Sequence, residues 1–89
     1  MDKQKIQKLF DFYSEKVKTL KNKPKDEDLL KLYGLYKQSK FGDNNTSKPW
    51  AFQFESSAKW NSWEVNKGIS KEKAMIQYVN FVKLLFSKE

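Results

Sequence analysis

Apolar residues recur along this chain at steps of three and four nearly from end to end, the spacing that gathers side chains on one face of an α-helix. Ile6, Leu9, Phe10, Tyr13, Val17 and Leu20 form the first stripe, which predicts a helix over roughly residues 3–20. Asn22 and Pro24 interrupt it. Asp26 then reads as an N-cap, with Glu27 and Asp28 setting negative charge against the positive end of the helix dipole. The second helix carries Leu29, Leu30, Leu32, Tyr33, Leu35 and Tyr36 and is expected to stop near Lys40, before the turn residues Gly42-Asp43-Asn44-Asn45. Ser56 predicts the cap of a short third helix with Ala58, Trp60 and Trp63, stopped by Gly68. Ser70 caps a fourth, whose stripe is Ala74, Tyr78, Val82 and Leu85; Lys73 stands where a capping box would place an acid, so a single cap is expected.

The stretch from Phe41 to Glu55 fits no periodicity and holds Pro49, Trp50, Phe52 and Phe54. Irregular loops of this size inside small domains are often functional, and these aromatics are expected to pack down on the helices. Four helices and one long connection make an all-α bundle, one domain over 1–89, whose long loop frees it from a simple up-down-up-down order.

What such a bundle can do is narrowed by what it lacks. The 89 residues include no His and no Cys, which removes imidazole bases, thiolate nucleophiles, disulfides and Cys/His zinc sites. No carboxylate pair stands out for acid/base work and the three glycines are isolated, so there is no Gly-rich phosphate loop. No enzyme activity, cofactor or metal is expected. Seven Phe, four Tyr and three Trp supply the core instead of aliphatics. The start of the chain lacks the apolar run of a signal peptide, and no stretch is long enough to span a bilayer, so the expected setting is soluble and cytoplasmic.

All 18 basic residues are Lys, against 11 acids, for a net charge of +7. Lys16, Lys18, Lys21, Lys23 and Lys25 form the densest run, either a solvated helix end and linker or a contact for an anion. Lys is a flexible point charge, whereas bidentate reading of guanine is mainly an Arg task, so phosphate is a better target than base sequence. Tyr33, Tyr36, Lys37 and Lys40 lie at i, i+3, i+4 and i+7 and share a face of the second helix. Two phenols and two ammonium groups there suit a purine and its phosphates, or else the rings are core and the lysines solvated. Leu29 and Leu32 lead into the same stripe, and a face that grades from Leu to Tyr and Lys suits a ligand with an oily end and an anionic end. Lys59 in the first turn of the third helix opposes the dipole and calls for water or an anion, while Trp60, Trp63 and Tyr78 read first as core.

Pro24, the segment YGLYKQSKFG from Tyr33 to Gly42, Asp43-Asn44-Asn45-Thr46, Pro49, Ala58-Lys59-Trp60, Trp63 and Lys67-Gly68-Ile69-Ser70-Lys71-Glu72, followed by Ala74-Met75 and Tyr78-Val79, together resemble the acyl-CoA-binding protein family in one register from about Phe10 to Leu85. The resemblance implies a four-helix up-down-down-up bundle that binds long-chain fatty acyl-CoA, with the nucleotide at the rim and the acyl chain in a groove. It implies that Tyr36 stacks on adenine, that Tyr33 donates to a phosphate and that Lys37 and Lys59 clamp the 3′-phosphate. Tyr78 would complete that end and Lys18 would add charge. Leu29 and Leu30 would line the acyl groove, and Ser14 would occupy a small-residue site near the ligand. Glu55 and Ser57 depart from the family's commonly basic positions and predict a less positive clamp. Trp50 and Phe52 replace a less aromatic loop and are expected to reshape the groove.

The implied role is an intracellular acyl-CoA carrier and pool former, a monomer that makes transient contact with membranes or acyl-CoA-using enzymes and takes no nucleic acid. Two other classes use the same charge. A nucleic-acid module would lose affinity steeply with salt and ignore acyl length. A membrane-surface module working through the Lys-rich first helix would bind anionic vesicles without acyl-CoA.

Overall fold

The computed structural model describes residues 2–89. Four helices form, α1 Lys3–Lys16, α2 Asp26–Phe41, α3 Phe54–Glu64 and α4 Lys71–Ser87. The fold is the expected all-α up-down-down-up bundle. α4 packs on both α1 and α2, and α3 packs across α2. α2 and α3 run the same way, so the chain must return the length of α2 before α3 begins. Sixteen residues of helix span ~24 Å, and the twelve residues 42–53 reach at most ~40 Å when extended. The long loop is therefore a requirement of the topology.

Each end differs slightly from its sequence expectation, for local reasons. α1 is α-helical only to Lys16, and Val17–Thr19 tighten into a 3₁₀ turn that carries the chain toward Pro24. Asp2 caps α1, its side chain accepting from the Lys5 N–H at 2.9 Å. α2 begins one residue earlier than an Asp26 cap would give. Extended Lys25 is the N-cap without a side-chain bond, and Asp26, Glu27 and Asp28 occupy the first turn, where their charge meets the helix dipole. Gly42 ends α2 with φ 76°, a left-handed value that favours glycine. α3 starts at Phe54, so Ser56 lies inside the helix and caps nothing. Gln53 takes the N-cap position, but its Oε1 accepts from the Trp50 N–H and so serves the loop. α3 stops at Glu64, and a turn carries the chain to Gly68 at φ 91°. Ser70 caps α4 alone, accepting from the Lys73 N–H at 3.1 Å.

The core is Ile6 and Phe10 of α1, Leu32 and Leu35 of α2, and Met75, Tyr78, Val79, Phe81, Val82 and Leu85 of α4. α4 supplies most of it because it lies between α1 and α2 and buries a face against each. Trp63 is buried as expected, but Trp60 is only half-buried. Both indoles act on the loop: Trp63 Nε1–H donates to the Gly42 carbonyl at 2.8 Å and Trp60 Nε1–H to the Thr46 carbonyl at 3.0 Å. Asp43 adds a third tie, accepting from Gln38 Nε2 at 2.9 Å and from the Gly68 N–H at 2.8 Å. These bonds lower the Asp43 pKa below the ordinary carboxylate value, the Gly68 N–H contributing most and Gln38 next.

The α2/α3 crossing is set by Gly34. A Cβ at this position would stand 1.9 Å from the Ser62 carbonyl oxygen, so only glycine lets the two backbones meet this closely.

Candidate functional site

The crossing at Gly34 divides the surface between α2 and α3 into two hollows. One, of about 280 Å³, is walled by Tyr33 and Lys37 of α2, by Lys59, Trp60 and Trp63 of α3, and by Thr46, Ser47 and Pro49 of the loop. The other, of about 400 Å³, lies on the opposite side against Leu30, Leu35, Val65 and Gln77.

The first hollow is where the predicted phosphate-binding residues meet. Lys37 on α2 and Lys59 on α3 are separated in the chain by the whole connecting loop, yet their Nζ atoms lie 5.8 and 5.7 Å from the same Tyr33 ring. Lys37 also stands 4.9 Å from the Phe41 ring and 5.3 Å from that of Trp63, so its ammonium rests on aromatic faces. Among the described residues Lys37 makes no ion pair. Lys59 does: its Nζ lies 3.3 Å from Glu55 Oε1. That pair gives the sequence departure at Glu55 a physical meaning, since one of the two positive charges is already partly matched. It also revises the reading of Lys59 as a first-turn cation, because with α3 beginning at Phe54 this lysine sits in the second turn.

Tyr36, one helical turn beyond Tyr33 on α2, meets Tyr78 in a cluster with Phe10. Ring centroids are 5.1 Å apart for Phe10 and Tyr78, 5.5 Å for Phe10 and Tyr36 and 6.0 Å for Tyr36 and Tyr78. Tyr36 remains 37% exposed while Tyr78 is 4% exposed, so one ring is open to a ligand and the other is floor. Burial, then the neighbouring Tyr36, push the Tyr78 phenol up to about 12. It stays protonated at neutral pH and can only be a neutral donor to an anion. Lys40 Nζ lies 6.0 Å from the Tyr36 ring. Leu29, Tyr33, Tyr36, Lys37 and Lys40 thus occupy the arc of α2 turned away from its buried residues Leu32, Leu35, Gln38 and Ser39.

The remaining predicted residues are dispersed. Leu30 is half-buried and lines the second hollow. Ser14 is half-buried and its hydroxyl donates to the Asp11 carbonyl at 2.9 Å. Lys18 is exposed in the 3₁₀ turn, 3.1 Å from Glu15 Oε2. Trp50 and Phe52 do not narrow the first hollow. They are 72% and 73% exposed and Phe54 is 81% exposed, so the loop that was expected to pack its aromatics down presents them outward. Phe10 was legible as a stripe residue but not as the floor beneath two ligand candidates. The Glu55–Lys59 pair was legible in principle, as opposite charges at i and i+4.

The arrangement suits binding an elongated anion with a flat ring. Two ammonium groups meet at one end, an open phenol ring lies next to them, and a leucine continues the same arc. Among the described residues no three acidic groups gather as a metal site, and no helix is long and apolar enough to cross a membrane.

Residues 7–82 match the family described as acyl CoA binding protein. The chain is 50% identical over 80 residues to acyl-CoA-binding domain-containing protein 3 of Oryza sativa subsp. japonica; the alignment takes in 90% of this chain and 52% of the rice protein, about half that relative's length. It is 48% identical over 79 residues to the acyl-CoA-binding protein of Dictyostelium discoideum, covering 89% of this chain and 94% of the other. Its backbone matches the crystal structure of Oryza sativa Acyl-CoA-Binding Protein 2 with a TM-score of 0.92 at 40% identity, over 96% of this chain and 92% of that one.

Proposed function

The chain belongs to the acyl-CoA-binding protein family, and from that premise we propose that it holds long-chain fatty acyl-CoA non-covalently and serves as an intracellular, cytoplasmic carrier and pool former for it. The observation that carries the reading is the meeting of Lys37 and Lys59 over the Tyr33 ring, one helical turn along α2 from the open Tyr36 ring. Lys37 and Lys59 clamp the 3′-phosphate at the rim, Tyr33 donates to a phosphate oxygen and adenine stacks on Tyr36. Tyr78, held neutral by burial, backs that ring and donates from α4. The acyl chain leaves the headgroup along Leu29 and past Ser14. Lys18 adds charge once it swings from Glu15, an exposed pair whose loss costs under about 1 kcal/mol.

Each part of the ligand adds a distinct increment. A buried methylene is worth ~0.8 kcal/mol, so even partial shelter of a long chain contributes several. Stacking of the base adds ~1–3 kcal/mol by analogy with single-stranded nucleic acid. The 3′-phosphate brings a charge of about −1.5 to −2 to a lysine with no carboxylate partner. Free CoA loses the first contribution and free fatty acid the other two. No bond is made or broken, and release needs only that the chain find another apolar environment.

Calorimetry with palmitoyl-CoA, CoA and palmitate tests the reading. Affinities ranked in that order support it, and no binding of palmitoyl-CoA at micromolar concentration overturns it. Tyr36→Ala and Lys59→Ala should each weaken palmitoyl-CoA; unchanged affinity in both would remove the assignment of the site.

A further inference from the structure

The loop before α3 spends its aromatic residues in water. Trp50, Phe52 and Phe54 alternate along five residues and are 72%, 73% and 81% exposed, while Gln53 between them and Ser57 beyond them hold the Trp50 backbone. The Trp50 N–H donates to Gln53 Oε1 at 3.2 Å, the Gln53 N–H to the Trp50 carbonyl at 2.9 Å, and Ser57 Oγ to the same carbonyl at 3.2 Å. Trp60 ties the loop from below through the Thr46 carbonyl. The segment is therefore a braced turn whose rings are directed outward. Withdrawing three such rings from water is a strong drive, and nothing among the described residues satisfies it.

We propose that Trp50, Phe52 and Phe54 insert into the interfacial layer of an anionic lipid bilayer and so set the mouth of the ligand hollow against the membrane. Three observations choose this occupant. Trp and Phe on a projecting turn, each more than two-thirds exposed, match the headgroup and upper acyl region, where amphipathic and aromatic rings settle. The charge is complementary, with Lys48 two residues before Trp50, Lys37 in the adjoining hollow and a net charge of +7 on the chain, while Glu55 next to Phe54 is matched by Lys59. The third is position: Pro49, just before the aromatic segment, and Ser56, two residues after it, themselves line the hollow. A lipid-like ligand leaving the bilayer at Trp50 would meet Lys59 and Tyr33 without crossing open water. The docking stands on the loop alone, whereas its purpose of loading and unloading acyl-CoA rests on the function proposed above.

Co-sedimentation with phosphatidylcholine vesicles, with and without phosphatidylserine, tests this in the absence of any acyl-CoA. Wild type should bind the phosphatidylserine vesicles. A variant carrying Trp50→Ser, Phe52→Ser and Phe54→Ser should bind at least about a hundred-fold more weakly, since full burial of each large apolar side chain is worth about ten-fold or more and even half-inserted rings keep about five-fold apiece. Its palmitoyl-CoA affinity in vesicle-free solution should stay within about two-fold of wild type. Brominated lipids should quench wild-type tryptophan fluorescence, and Trp50→Phe should abolish that quenching while vesicle binding persists. The proposal is overturned if wild type ignores the vesicles, or if the triple variant binds them as well as wild type, which would assign docking to the lysines of α1. It is also overturned if the loop instead mediates a dimer that sedimentation detects and the variant dissolves. Failure of palmitoyl-CoA to bind wild type in solution would refute the ligand assignment and leave the vesicle result to be judged separately.

Discussion

Gly34→Ala sets two physical rules against each other with opposite signs. Residue 34 is inside α2, where alanine is favoured over glycine by ~1 kcal/mol on helix propensity. An exposed site would gain that stability. Here the added methyl would lie 1.9 Å from the Ser62 oxygen and 2.5 Å from its carbonyl carbon, with Asn66 Nδ2 at 3.1 Å. Those first two atoms are backbone and cannot rotate away, and the Ser62 carbonyl also accepts a bond from Asn66 Nδ2. α3 must therefore move off α2 by more than 1 Å, opening the contact that buries Trp63. Overpacking costs ~1–3 kcal/mol and a clash with fixed backbone belongs at the top of that range, so a net loss of about 2 kcal/mol survives the propensity gain, equivalent to ~10 °C in Tm for a domain of this size. Because Lys59 rides on α3 and Lys37 on α2, palmitoyl-CoA affinity should fall at temperatures where the variant is still folded. Thermal unfolding by circular dichroism and calorimetric titration measure the two effects. A Tm equal to or above that of wild type would refute the close crossing and with it the geometry of the hollow.

Glu55→Gln frees Lys59 from its exposed partner, so palmitoyl-CoA affinity should rise about two- to five-fold at low salt and the gain should fade as salt is added; no gain at low salt would mean the pair does not compete with the ligand. Tyr78 has a folded-state pKa raised from 10.0 to about 12, so the stability it carries is whole below pH 10 and is lost as the pH rises toward 12, by about 3 kcal/mol at most. Absorbance titration should show one late phenol that Tyr78→Phe removes. Asp43, whose pKa is lowered, contributes stability that is present above about pH 4 and lost as the pH falls through its folded value. Asp43→Ala should therefore lower the Tm at neutral pH and flatten its acid dependence, measured by thermal scans between neutral pH and pH 2.

The helices were legible because each buries one stripe at steps of three and four, and a stripe with a clear apolar face survives small errors at its ends. The ends were less legible where side chains had competing tasks. Ser56 has the chemistry of a cap, yet α3 begins at Phe54 because Gln53 and Ser57 both bond to Trp50 and wind the chain three residues sooner. The shared face of Leu29, Tyr33, Tyr36 and Lys37 followed from spacing alone. That Lys59 would reach Tyr33 did not, since the approach depends on a glycine whose role is visible only when the facing carbonyl is known. The loop was the poorest guide, because aromatic residues carry the same sequence signal whether they face a core or water.

The loop also explains why this small bundle can keep its site open. An irregular segment has no ladder for its carbonyls, and each one left unsatisfied next to a core is costly. The Gly42 and Thr46 carbonyls are taken by Trp63 and Trp60, both from α3. α3 is thereby the frame of the loop, while through Gly34 it is fixed to α2, the helix that presents Tyr33, Tyr36 and Lys37. The loop's inner edge closes the hollow at Thr46, Ser47 and Pro49, and its outer edge bears Trp50, Phe52 and Phe54. Hollow and aromatic edge are two faces of one braced element. Two indoles that would ordinarily be spent on packing α3 into the core are spent at its margin, and the core remains full because α4, with neighbours on two sides, supplies most of the residues that fill it.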